Sequence, residues 1–113
     1  MLEKATLEEI TKLRLAPGEE VSVLPIVTVQ RGTVMRVTTA SGNHYLFEVT
    51  DPAAHRTHVV RCDARGHASA GYQGEKVISS LLRVGDQITL LGGAGISYTS
   101  AVAGITVLPR EVL

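Results

Sequence analysis

Four side chains in the middle of the chain, His55, His58, Cys62 and His67, with Asp51 and Asp63 close by, are of the types that hold zinc, since imidazole and thiolate are the ligands that ion prefers. Their spacing works against a site. If residues 57 to 62 form a strand, His58 and Cys62 share a face but stand about 13 Å apart at ~3.3 Å per residue. Two ligands of one zinc ion must instead meet at a point roughly 2 Å from each. No Cys-x-x-Cys pair and no helical His pair is present. The residues read as polar histidines on strand faces and in loops beside a buried cysteine, with neither metal nor cofactor implied.

Nucleophilic and acid–base chemistry find as little. A cysteine nucleophile needs a base within hydrogen-bond reach and a lowered pKa, whereas Cys62 lies between Arg61 and Asp63 in a strand-like run. There is no Gly-x-Ser-x-Gly, and the carboxylates Glu48, Asp51 and Asp63 fall in different segments. The Gly92-Gly93-Ala94-Gly95 loop lacks the lysine and Ser/Thr of a phosphate-binding loop and leads into another strand-like run, so it reads as a hairpin. No catalytic residue is expected, and the chain is read as not an enzyme.

Nucleic-acid binding has more residues behind it. Arg31, Arg36, Arg56, Arg61 and Arg65 all lie between positions 31 and 65, in the middle of the chain, and Tyr45 with Phe47 have the spacing of a two-ring stacking face for single strands. Against this stand a net charge of zero and a total of three tyrosines and one phenylalanine, some of which a small core needs. Without net positive charge the counterion-release contribution over a broad footprint is missing.

The elements that must position these side chains begin with one helix. Thr6 and Glu9 have the capping-box spacing, Leu7, Ile10 and Leu13 follow at helical intervals, and Pro17-Gly18 ends the pattern, giving a helix over about 7 to 14. So short a helix must dock its apolar stripe, and we expect it to act as a lid over an open end of a β core. A strand is expected at 20 to 24, with Pro25 marking an edge or bend. Residues 33 to 39 and 44 to 50 read as a hairpin about Ala40-Ser41-Gly42-Asn43, with Tyr45, Phe47 and Val49 on one face and His44, Leu46 and Glu48 on the other. A further strand is expected at 57 to 62, a mobile surface loop at 63 to 74, and a strand at 76 to 82. Val84-Gly85-Asp86 reads as a turn into Ile88 and Leu90, which the following glycines close into a hairpin with Val102, Ile105 and Val107.

At 113 residues, 44% hydrophobic and 19% charged, the chain suits one domain over 1–113. The pattern predicts a mainly β fold, a small single-domain barrel or sandwich of five to seven short strands with one short N-terminal helix. A single cysteine excludes an internal disulfide and fits a reducing compartment. There is no apolar run long enough for a membrane span, and the glutamate-rich start is unlike a signal peptide, so no membrane and a cytoplasmic location are expected. The function that remains is a non-catalytic β module for protein interaction or self-assembly, with nucleic-acid binding as the alternative. Lysine occurs only at Lys4, Lys12 and Lys76, and no charge occurs from Ile88 to Leu108. An uncharged hairpin needs covering, and Val102 and Ile105 are the expected self-association residues of a homo-oligomer.

Overall fold

A computed structural model describes residues 2–63, 65, 67 and 73–109. The fold is built outward from three consecutive antiparallel strands, β3 (Val34–Thr39), β4 (His44–Asp51) and β5 (Arg56–Cys62). The β3–β4 turn is tightened by Gly42 at φ 87°, whose N–H donates to the Thr39 carbonyl. Its register sets Met35 opposite Phe47 and Val37 opposite Tyr45, and β5 adds Val59 opposite Phe47 and Val60 opposite Leu46.

Because successive side chains alternate, that register sorts the three strands into two apolar faces, and both are buried. Met35, Val37, Tyr45, Phe47, Val49 and Val59 join the main core, while Val34, Leu46, Val60 and Cys62 form a second one on the back of the sheet.

The main core is completed by strands that continue the sheet, in the order β1-β10-β3-β4-β5-β6-β8-β9, every pairing antiparallel. These are β1 (Glu19–Val21), β6 (Gly74–Ile78), β8 (Thr89–Gly92), β9 (Gly95–Tyr98) and β10 (Val102–Val107). Ile78, Leu90, Val102 and Ile105 bring their apolar side chains to the same cluster, so the sheet curls around it. A separate ribbon of β2 (Val23–Pro25) and β7 (Leu81–Arg83) supplies Leu82, and the short 3-10 turn Ile26–Thr28 supplies Ile26. The Val84-Gly85-Asp86 turn has the expected left-handed glycine, at φ 98°. It is tied to β10 by the Gly85 N–H donating to the Val102 carbonyl and the Val102 N–H donating to the Asp86 carbonyl.

The back of the sheet is covered by helix α1 (Leu7–Leu15), with Ile10 and Leu13 packed among Leu2, Ala16 and the second cluster. Its capping box is present: the Glu9 N–H donates to Thr6 Oγ1 at 3.2 Å and the Thr6 N–H to Glu9 Oε1 at 3.4 Å. At the other end Arg36 Nη1 donates to the carbonyls of Leu13 (2.9 Å) and Ala16 (2.6 Å), placing a cation on the negative end of the helix dipole. The segment before the helix is pinned by the Leu2 N–H, which donates to the buried Glu48 carboxylate at 2.8 Å. Beyond the helix, Gly18 passes so near β10 that a Cβ there would strike the Val107 carbonyl.

Several expectations need correction. The helix covers the rear of β3–β5 instead of an open end, and Leu7 is 67% exposed and takes no part in the docking. There are ten strands among the described residues, not five to seven, because three runs are divided where the pairing partner changes. Residues 20 to 24 split between β1 and β2 in different sheets, 76 to 82 between β6 and β7, and the C-terminal run into β8, β9 and β10. The Gly92–Gly95 hairpin therefore joins β8 to β9, while Val102–Val107 lies across the sheet between β1 and β3. Pro25 falls in a two-stranded ribbon, where the missing N–H leaves no second neighbour unsatisfied. The loop expected at 63 to 74 lies mostly outside the described residues. No helix among them is long and apolar enough to cross a membrane.

This packing separates two helix residues that look equivalent in sequence. Ile10→Ala should cost about 2–4 kcal/mol in denaturant unfolding, whereas Leu7→Ala should change stability by less than about 0.5 kcal/mol. Equal costs would contradict the docked face.

Candidate functional site

Cys62 ends β5 with its side chain fully buried beneath α1. Burial pushes its thiol pKa up and nearby Asp63 adds to this, with only Arg14 acting the other way. His44 sits opposite Cys62 in the β4–β5 register and shares a 3.2 Å hydrogen bond with Thr38 Oγ1. Its pKa is lowered by burial first, then by Arg14 and Arg36. His58 is opposite Glu48, and His55 occupies the turn before β5 at φ 53°. His67 is exposed beside Asp63, whose carboxylate accepts the backbone N–H groups of His67 and Arg65 at 2.9 Å each. The His67 N–H is the largest influence holding that carboxyl below its ordinary value. Among the described residues no three His, Cys, Asp or Glu side chains converge as metal ligands.

Two measurements follow from this environment. A thiol reagent should label Cys62 slowly in the native protein and rapidly after denaturation; fast native labelling would mean an exposed, activated thiolate. His44 binds its proton less readily when folded, so its contribution to stability is complete above the unfolded value of about 6.5 and is lost as pH falls through it, levelling off below the folded value. Urea midpoints between about pH 7.5 and about pH 5.5 should therefore fall less in His44→Gln than in the parent.

The five arginines do not form one surface. Arg31 and Arg56 line an open groove of about 450 Å³ with Thr50, Asp51, Pro52 and Glu75, so two carboxylates accompany the two cations. Thr50 Oγ1 donates to Glu75 Oε1 at 3.1 Å within it. Arg36 is turned to the helix terminus, on the back of the sheet. Arg61 is opposite Tyr45, which by alternation puts it on the other side of the sheet from Cys62. Arg65 is exposed in the turn after β5.

Tyr45 and Phe47 are 4% and 0% exposed, their rings stacked on one another at 5.9 Å within the main core, so neither offers a face to a base. Val102 and Ile105, at 2% and 1%, are also core residues and cannot meet a second copy.

What the structure does expose is the outer face of the β8–β9 ribbon. Leu91 pairs with Ile96 and Thr89 with Tyr98, all on one face, while Leu90 and Ser97 turn to the other, Leu90 into the core. Leu91, Ile96 and Tyr98 are 46%, 61% and 62% exposed, and Val77 on β6 extends the row beside Leu91. Together they make a patch on the order of a few hundred Å², the size at which an apolar surface acquires meaning. β9 is also an end of the sheet ladder, and it carries no charge.

The opposite end differs. β1 exposes Glu19 and Glu20, charges that protect an edge from other chains. The β2–β7 ribbon exposes Val23 and Leu81 too, but Arg83 pairs with Val23 on that face and breaks it with charge. The sequence did carry a signal for the β8–β9 face: in the alternation from Ile88 onward, Leu91 is out of phase with Ile88 and Leu90.

Comparison of the chain with protein-family models, with curated proteins and with solved structures finds no match.

Proposed function

We propose that the chain is a non-catalytic β module that works by binding protein, a second copy included, through the outer face of β8–β9. The observation that carries this reading is the coincidence of three exposed apolar side chains with an uncharged strand at the end of the sheet. Edge strands present unpaired N–H and C=O groups, and proteins ordinarily guard them with lysine, proline or a bulge. β9 has none of these guards in Gly95-Ile96-Ser97-Tyr98. The buried thiol with a raised pKa and the balanced charges of the Arg31–Arg56 groove give catalysis little support.

The nucleic-acid alternative is weaker than its sequence pattern suggests, since its stacking pair is in the core and its arginines face different ways. On architecture, we read the curled sheet with its β2–β7 ribbon as a small, partly open barrel. A reducing compartment such as the cytoplasm suits the lone thiol.

The test is native mass spectrometry of the parent as purified from cells, beside an Ile96→Lys/Tyr98→Lys variant. The parent should carry a bound protein chain, its own or another, and the variant should run as a bare 12 kDa chain with stability within about 1 kcal/mol of the parent. A parent that is bare even at the concentrated end of a dilution series, and behaves there as the variant does, rules the reading out.

A further inference from the structure

The backbone of β9 specifies more than a sticky edge. On one side of β8, the Ser79 N–H donates to the Thr89 carbonyl at 3.2 Å, so residues 89 and 91 direct their backbone groups toward β6. On the other side, the Thr99 N–H donates to the Ile88 carbonyl at 3.0 Å and the Ile88 N–H to Thr99 Oγ1, so 88, 90 and 92 face β9. Bonded and non-bonded pairs alternate along an antiparallel ladder. Gly95, Ser97 and Thr99 therefore address β8, and the N–H and C=O groups of Ile96 and Tyr98 point out of the sheet. The two residues with exposed apolar side chains are the same two that offer edge hydrogen bonds.

Resting on the reading above, we infer that the occupant of this edge is a second copy of the chain, paired β9 to β9 about a two-fold axis through Ser97, with Ile96 of each copy opposite Tyr98 of the other. Only a register that sets even-numbered residues opposite even-numbered ones keeps both apolar faces on one side. Of those registers, this one makes each outward-facing residue part of a bonded pair, giving four N–H···O bonds, whereas pairing Ile96 with itself gives two. It also sets a β-branched side chain against an aromatic one twice, a favourable cross-strand combination. The face then runs without a break as Leu91, Ile96, then Tyr98 and Thr89 of the second copy, and the same in reverse.

Charge favours the same occupant. The run 88–108 has no charge and the whole chain nets zero, so two copies meet without repulsion, and an acidic or basic partner finds no opposite charge on the strand. The alternative of β9 adding to β1 of the next copy would be heterologous and open-ended, and would lay an apolar strand beside Glu19 and Glu20. With a few hundred Å² per copy against the ~800 Å² of a standard stable interface, the dimer is reversible and forms at the concentrated end of a dilution series.

Sedimentation velocity across a hundredfold dilution should show a monomer–dimer equilibrium in the parent and monomer alone in Tyr98→Lys. The register is read by cross-linking under mild oxidation. Residues facing each other in a non-bonded pair have Cα atoms about 4.5 Å apart, within disulfide reach. Ser97→Cys should therefore trap a covalent dimer, while Ile96→Cys, diagonal to its counterpart, and the parent, with only buried Cys62, should not. Equal cross-linking of both variants, none in either, or a ladder of higher species overturns the inference. A parent that stays monomeric throughout yet retains a different protein through Tyr98 overturns the second-copy pairing and leaves the protein-binding reading standing; a monomer that retains nothing removes both.

Discussion

The structure depends on the double-sided burial of β3, β4 and β5. A sheet with one wet face alternates apolar and polar residues, but here the middle strand is buried at five consecutive positions, Tyr45 to Val49. Such strands are stable only if something apolar covers each side. The front is covered by the curl of the same sheet and the β2–β7 ribbon, the rear by α1 with Leu2 and Leu108. A helix of nine residues is marginal alone in water, so helix and sheet rear each lack a stable form without the other.

Polar groups enforce that docking with direction. Arg36 reaches from β3 to the last carbonyls of α1, and Glu48 reaches from β4 to the Leu2 N–H, so the two ends of the N-terminal segment are each held by a side chain of the central sheet. Burial pulls the Arg36 pKa down, and Glu20 partly offsets this. The arginine-rich middle of the sequence is in this respect structural, with one of its five cations engaged at a helix terminus and two more matched by carboxylates in a groove.

Local signals in the sequence were legible and long-range ones were not. The capping box, the β3–β4 hairpin with its two faces and the Gly85 turn each depend on residues a few positions apart, and each is found. Where one run ends and another begins was harder, because nothing local marks the point at which a strand changes partners, as between Val21 and Val23 or between Ile78 and Leu81. The same limit governed the surface. Val102 and Ile105 have the composition of an interface but are buried by strands distant in sequence, and Tyr45 and Phe47 have the spacing of a stacking pair but sit behind the ribbon and turns that close the core. Leu91, Ile96 and Tyr98 remain outside because their ribbon is the last in the ladder, a property of topology.

One topological detail bears on how the chain reaches this state. β10 is the last strand in sequence yet lies between β1 and β3, so β1 has no ladder partner until residues 102–107 are in place. Assembly cannot run from one end to the other. The first strand waits for the last across almost the whole chain, a loop closure whose entropy must be met before its contacts form. High contact order of this kind makes for slow folding and, while the insertion is pending, leaves the flank of β3 open as a transient second edge.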